Sequence, residues 1–284
     1  MRVALATCAE VPDGDEDAPL LTAALKDQGV DAEWVVWTDA GVDWSRFDLV
    51  LVRSTWDYAE HYERFLGWLE GLPRVLNPLP VLRWSTDKHY LLELAGAGAP
   101  VVPSEFLAPG EEFDPPAGRF VVKPAVSAGG RRSAAYEAED APDAAEHVQR
   151  LHAEGRTVIV QPYLDAIDGH GETGIVYLGG RYSHGLRKGP LLWPGVAPGT
   201  ALYLDEDVRP REPSPGERAA ADRALAALPF APEELLYARV DLAPGRDGGP
   251  LVLEVELAEP SLYLGCSPDA AGRLASAVAA ALAE

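Results

Sequence analysis

Three carboxylates near the C-terminus, Asp241, Glu254 and Glu256, have the types and spacing to hold a divalent cation. They lie in two short segments, Arg239-Val-Asp241 and Glu254-Val-Glu256, joined by the turn-rich stretch APGRDGGP. Each segment alternates charged and apolar residues. Side chains of a β-strand alternate with period two, so if both are strands their charged residues share one face. That face carries the acids and one fixed cation, Arg239. Hard carboxylate oxygens so placed suit Mg²⁺, which takes oxygen ligands from a few carboxylates together with nucleotide phosphates.

A second candidate is Lys123, at the end of an apolar strand and just before Pro124 and the loop AVSAGG. A lysine ahead of a small-residue loop can hold phosphate oxygens while backbone N–H groups close over them. The order differs from the P-loop, whose lysine follows its glycines. Taken alone, Lys123 reads better as a surface lysine at a strand end.

The elements that must position these residues can be traced along the chain. MRVALAT reads as a buried strand, and PLLTAALKDQG as a helix with Gly29 at its C-cap. DAEWVVWT and FDLVLVRS are strands, HYERFLGWLEGL is an amphipathic helix, and RVLNP is a short strand. Alternating strands and helices imply a parallel sheet with right-handed crossovers. Ligands of such sheets bind beyond the carboxyl ends of the strands, which puts Cys8 and Arg53-Ser-Thr-Trp-Asp57-Tyr58 at a candidate edge. STDKHYLLELAGAG follows as a helix capped by Ser85 or Thr86. PVVPSEFLA is a strand, and RFVVKPAVSAGGRRSAAYEA reads as strand, loop, strand. The helix APDAAEHVQRLHAEG precedes the strand RTVIVQPYL. GETGIVYLGGRYSHGLRKGP forms a hairpin around Gly179-Gly180. The proline- and acid-rich stretch 193–217 is a surface loop, and SPGERAAADRALAAL is a helix capped by Ser214. SPDAAGRLASAVAAALAE closes the chain as a helix.

At 284 residues the chain can build two or three lobes and a sizeable core. Its net charge of −21 works against nucleic-acid and anionic-membrane partners, both of which require a positive surface. No apolar run reaches membrane-spanning length, and the N-terminus lacks a secretory h-region, so a cytoplasmic location is the expectation. Two cysteines, Cys8 and Cys266, cannot make a disulfide framework; Cys8 is expected to be buried.

The order of the pieces carries more information than any one of them. Lys88 comes first, then Lys123 with its glycine loop, then Gln161-Pro162-Tyr163-Leu164, then Gly171-Glu172-Thr173. Arg187-Lys188 follow, and the acidic segments come last. This ordered set resembles the ATP-grasp superfamily of carboxylate–amine ligases. RSTWDY, DKHYLLELAGAGAPVVP, VVKPAVSAGGR, GETG with SHGLRKGP, and LEVELAEPSLYL resemble its actinobacterial branch related to the O-ureido-serine cyclo-ligase of cycloserine biosynthesis. One position departs from the superfamily, where the second acidic strand usually reads E-x-N; here Glu256 stands for the asparagine.

The resemblance implies an α/β chain with an α+β ligase core, an ATP-grasp fold behind a Rossmann-like pre-ATP-grasp lobe. Expected boundaries are 1–85 for that lobe, 86–160 for the small ATP-grasp lobe and 161–284 for the C-terminal lobe. By resemblance Lys88 and Lys123 hold ATP phosphates, and Ser127 to Gly130, with Gly129, form the covering loop. Gln161, Pro162, Tyr163 and Leu164 present backbone groups to adenine, and Glu172 takes the ribose hydroxyls. Asp241, Glu254 and Glu256 ligate Mg²⁺, with Mn²⁺ as an alternative ion. Arg239 and one of Arg187 or Lys188 stabilise the transferring phosphate. The substrate, a small amino-acid-like carboxylate, would meet Arg53, Ser54, Asp57, Tyr58, Glu259, Ser261 and Tyr263. A homodimer fits the family.

Structural readings stand beside these. Arg53 and Asp57 could satisfy each other, His184 reads better as a satisfied strand histidine than as a base, and the run Asp13, Asp15, Glu16, Asp17 as a solvated loop that could reach the cleft. Two other functions compete: a non-catalytic or regulatory nucleotide-binding protein on the same fold, and a nucleotide-dependent oxidoreductase. The oxidoreductase ranks low, because no G-x-G-x-x-G follows the first strand.

Overall fold

The computed structural model describes residues 1–202 and 206–283. The expected loop 193–217 therefore includes three residues, 203–205, outside the described part, as is the last residue of the expected C-terminal helix. No described helix is long and apolar enough to cross a membrane.

β1 (Arg2–Thr7), α1 (Ala18–Asp27), β2 (Asp31–Val36), β3 (Leu49–Ser54), α2 (Tyr62–Glu70) and β4 (Val75–Leu76) form the first lobe. Its sheet is parallel with strand order β2-β1-β3-β4. β1 and β3 are near-continuous apolar runs because helices cover both faces. α3 (Leu79–Ser85) and α4 (Tyr90–Gly96) follow.

The second lobe contains β5 (Glu105–Leu107), β6 (Phe120–Pro124), β7 (Ala134–Tyr136), α5 (Ala141–Ala153) and β8 (Val158–Pro162). Its antiparallel order is β5-β8-β6-β7, and β8 runs across the expected 160/161 boundary. Phe120 and Val122 point into a core with Ala144, Val148 and Leu151 of α5, so the alternate residues Val121 and Lys123 face the other way.

The third lobe comprises α6 (Ile167–His170), β9 (Glu172–Leu178), β10 (Arg181–Lys188), β11 (Val208–Pro210), α7 (Pro215–Ala226), β12 (Tyr237–Pro244), β13 (Pro250–Glu256) and α8 (Ala270–Ala283). Its antiparallel order is β11-β10-β9-β12-β13. The β9–β10 turn has positive φ at both Gly179 and Gly180, as a primed hairpin turn requires. Ser214 caps α7, as the sequence predicts, and Glu217 completes a reciprocal capping box with it.

Two devices fix the first lobe against the third. Leu274 and Val278 of α8 pack with Leu21 and Leu25 of α1 and with Val176 and Leu186 of the large sheet. Asn77, fully buried, donates to the carbonyls of Tyr237 (2.9 Å) and Leu257 (2.7 Å) and accepts from Leu236 N–H (2.7 Å). The amide thereby ties the end of β4 to the strands that carry the acids.

The helix expected over 85–98 is shorter, running as α4 from Tyr90, and a separate helix, α3, precedes it. Ser85 ends α3 instead of capping α4, and its hydroxyl accepts from Leu257 N–H. Lys88 occupies the joint between α3 and α4, where its N–H donates to the Ala125 carbonyl. The break is tertiary in origin: both bonds reach outside the helix.

Candidate active site

A cavity of about 450 Å³ opens between the small and large sheets and is bounded by loops of the first lobe. Alternation places its polar walls. β12 and β13 pair with Arg239 opposite Glu256 and Asp241 opposite Glu254. All four side chains line the cavity, while Val240 and Val255 pack behind them in the core with α7 residues Ala220 and Ala224.

The described cations and acids of the wall are largely paired. Lys188 Nζ lies 2.7 Å from Asp241 and 2.9 Å from Glu172. Arg239 chelates Asp241 at 3.0 Å and also bonds Glu256. Lys88 Nζ sits 2.7 Å from Glu254 and donates to the Ser127 carbonyl at 2.8 Å. Among the described residues, Lys123 is the cavity cation without an anionic partner in ion-pair range. Burial holds its ammonium below the usual lysine range, with Lys88 and Lys188 reinforcing and Glu254 opposing.

Burial would raise Asp241, but Arg239 and Lys188 overcome it and hold the carboxyl at about 2. Burial and the neighbouring acids push Glu256 up to about 7 against the pull of Arg239. Burial, then Glu256, pushes Glu259 up to about 8. The described acids of the wall also outnumber its cations, nine to four.

Among the described residues no three acidic, histidine or cysteine side chains already form an ion cage. The donor chemistry nevertheless fits Mg²⁺. Asp241 and Glu254 are direct cross-strand neighbours, whose Cβ atoms lie roughly 5 Å apart, close enough to share one ion. Both are hard oxygen donors.

Of the residues expected from sequence, Lys88, Lys123, Ser127, Gly129, Gly130, Gln161, Pro162, Tyr163, Leu164, Glu172, Lys188, Arg239, Asp241, Glu254 and Glu256 all border this cavity. Tyr58, Glu259, Ser261 and Tyr263 also border it. Gln161 is held by Ser104, to whose hydroxyl it donates at 2.8 Å.

Four expected residues lie outside the wall. Arg187 alternates away from Lys188 along β10; its guanidinium donates to the His170 carbonyl at 2.7 Å. Ser54 is buried against Thr7 at 2.8 Å. Asp57 accepts from the Trp37 indole at 2.6 Å, not from Arg53, so the expected Arg53–Asp57 pair is replaced by a core hydrogen bond. Arg53 is fully buried, donates to the Pro260 carbonyl at 3.2 Å and lies 3.7 Å from Asp15. His184 is the satisfied strand histidine, bonded to the Leu262 carbonyl. Cys8 is buried, and burial raises its thiol to about 11.

Other wall residues carried weaker sequence signals. Asp15, Glu16 and Asp17 border the cavity, and Asp17 accepts from the N–H groups of Leu262 and Leu264. Gly174, opposite Asp241 on β9, was not singled out. A Cβ there would stand 2.9 Å from Leu186 Cδ1 and 3.2 Å from an Asp241 oxygen. Its signal is a glycine inside a strand, which often marks close approach.

A parallel α/β lobe followed by two antiparallel lobes, with a cavity of cations and carboxylates between them, is the architecture of an ATP-grasp ligase, and this enzyme is one. Residues 3–77 match the family model described as the D-cycloserine synthetase DcsG N-terminal domain. The chain belongs to the DcsG family: it is 41% identical over 287 aligned positions to the cycloserine biosynthesis protein DcsG of Streptomyces lavendulae, covering 93% of each protein. The crystal structure of D-cycloserine synthetase DcsG superposes with a TM-score of 0.91 at 39% identity, over 99% of this chain and 100% of that one. The ATP-grasp ligase PsnB, solved with a minimal precursor, Mg and ADP, shares the fold at a TM-score of 0.60 and 19% identity, over 99% and 98% of the two chains.

Proposed function

We propose that this enzyme uses ATP to activate the carboxylate of a small amino acid and closes it onto a nitrogen of the same molecule, releasing ADP and phosphate. The O-ureido-serine of the family resemblance is the proposed substrate, and a cycloserine-type ring the product. The observation that carries the reading is the cavity wall itself. Among the described residues Lys123 has no anionic partner in ion-pair range, and it shares the cavity with Asp241, Glu254 and Glu256 on paired strands. Phosphate would supply an anion for the lysine, and a divalent ion would add positive charge to a wall whose described acids outnumber its cations.

A carboxylate resists nucleophiles because of its charge and because oxide is a poor leaving group. Transfer of the γ-phosphoryl group to its oxygen gives an acyl-phosphate, from which phosphate departs when nitrogen attacks. Most of the catalysis in such a step is positioning and charge stabilisation. Lys88 and Lys123 are proposed to hold the phosphates, and Arg239 with Lys188 the group in transit. Mg²⁺, held by Asp241, Glu254 and Glu256, would offset phosphate repulsion when bound; Mn²⁺ has the same donor preference. Gln161 to Leu164 are proposed to take the adenine and Glu172 the ribose. Glu259, Ser261 and Tyr58 are proposed to face the amino acid, with Arg53 supporting from behind Asp15.

We further take the chain to act as three lobes, 1–85, 86–160 and 161–284, in a cytoplasmic enzyme. Sedimentation would test the homodimer that the family suggests. The decisive assay is nucleotide release over ureido- and aminooxy-bearing amino acids, O-ureido-serine included. ADP and phosphate in equal amounts with ring product are expected. AMP would overturn the reading, and ATP binding without turnover on every substrate would favour a regulatory protein. Glu254→Gln should abolish turnover with the fold intact.

A further inference from the structure

The loop that borders the phosphate end of the cavity, Ser127 to Arg132, is fastened to the first lobe at one point outside the cavity wall. Arg132 has φ of +59°, a left-handed conformation uncommon for a residue with a side chain. Such a backbone persists only when its surroundings hold it. Here Arg132 gives a two-pronged bond to Glu60, Nε to Oε1 at 3.1 Å and Nη2 to Oε2 at 2.9 Å. Arg156 adds Nη2 to the same carboxylate at 3.1 Å and Nη1 to the Ala59 carbonyl at 3.0 Å. Arg131 lies 3.7 Å from it. One carboxylate of the first lobe thus collects three arginines of the second. The Arg132 N–H also donates to the Gly199 carbonyl at 2.8 Å, tying in the loop that follows β10.

Glu60 ends a short turn, residues 56–60, two of whose other side chains reach the cavity. Trp56 and Tyr58 border the cavity. The Trp56 indole donates to the Glu259 carbonyl at 3.1 Å, and the Tyr58 hydroxyl to the Ser127 carbonyl at 3.4 Å. The turn therefore borders the cavity with two aromatics, one of them on Ser127, and grips the following loop with its last residue.

We propose that Glu60 is a positioning residue that latches the phosphate loop closed through Arg132. The inference rests on the ligase reading above. Closure matters because water can replace the carboxylate oxygen as nucleophile at the γ-phosphorus, giving ADP and inorganic phosphate without ligation. A bidentate, charge-assisted pair gives the latch direction as well as strength. Three arginines around one acid also make the latch sensitive to its loss, since they would then repel each other.

Three proteins test this: the parent, Glu60→Gln and Glu154→Gln. Glu154 also pairs with Arg132 and Arg156, at 2.8 and 2.9 Å, but from within the second lobe, so it controls for loss of an arginine partner without loss of the latch. The first readout is hydrogen exchange of the 127–132 amides in the protein without ligand. The second is ADP released per ring formed with MgATP and O-ureido-serine. Glu60→Gln should exchange at least tenfold faster in that loop and release ADP in clear excess over product, whereas Glu154→Gln keeps the parent's protection and its one-to-one ratio. Parent-like exchange and ratio in Glu60→Gln would overturn the latch. Equal loosening in both variants would overturn it too, reducing Glu60 to a structural contact. Absence of substrate-dependent ADP release in the parent would instead refute the ligase reading, and the exchange readout would still decide the latch. Should Glu60→Gln fail to fold, Glu60→Asp, which draws the carboxylate back by one methylene and cannot keep both prongs on Arg132, replaces it, and the same two outcomes apply.

Discussion

Replacing Asn77 by alanine tests how the first lobe is registered on the strands that carry Asp241, Glu254 and Glu256. The amide is fully buried and makes three hydrogen bonds of 2.7–2.9 Å, all to backbone groups of the third lobe. Alanine would leave the Leu236 N–H and the Tyr237 and Leu257 carbonyls without this partner. An orphaned buried polar group costs about 1–3 kcal/mol, with carbonyls at the lower end because they have a second lone pair. The total is then about 3–5 kcal/mol. At an unfolding entropy of about 2.1 cal/mol/K per residue, a chain of 284 residues moves by about 1.7 °C per kcal/mol, which predicts a melting temperature lower by about 5–8 °C. Asn77→Asp should be worse at pH 7, since a buried charge would face two carbonyl oxygens. It should recover partly toward pH 5, as the protonated acid regains one donor. The assay is thermal unfolding by circular dichroism at both pH values, alongside ADP release. If Asn77→Ala melts within 2 °C of the parent, or if Asn77→Asp is the milder change, the amide is not the staple described here.

Three further outcomes are expected. Gly174→Ala should cut kcat by tenfold or more and also lower the melting temperature, because the new Cβ would meet the buried Leu186 side chain and press on the Asp241 carboxylate; steady-state kinetics over a Mg²⁺ titration and thermal unfolding would show it. Lys188→Met should lower kcat by about 10²–10³, the scale of losing one preorganised charge stabiliser, while Arg187→Met stays within a few-fold; equal losses would contradict the assignment of strand faces. Burial holds the His147 imidazole neutral, down to about 4 from an ordinary value near 6.5, against the Tyr136 hydroxyl. The unfolded chain therefore binds the proton first, stability is lost as pH falls from about 6.5 to 4, and urea titrations should show this slope flattened in His147→Phe.

Much of the site was legible because period-two alternation is a local property. The R-V-D and E-V-E segments had to put Arg239, Asp241, Glu254 and Glu256 on common faces once each became a strand, and the register of β12 with β13 then joined those faces. Alternating strands and helices marked the parallel sheet, paired glycines marked the β9–β10 turn, and Ser214 marked the start of α7. Motif order, through resemblance, pointed to the ligase class.

What local pattern could not supply was decided by packing between lobes. No proline or glycine interrupts residues 85–90, so nothing local announced that Lys88 lies in a helix break; bonds to Ala125 and Leu257 make it. Alternation says that Arg187 and Lys188 face opposite ways, but which one meets the cavity depends on what packs behind β10. Arg53 and Asp57 have the spacing of a pair, yet Asp57 finds Trp37 and Arg53 is drawn to Pro260, partners 20 and 207 residues away. The sequence by itself determined which residues share a face and which chemistry they offer. The tertiary structure decided which faces meet, because the hydrogen bonds and burial that choose among them are made by residues far apart in the chain.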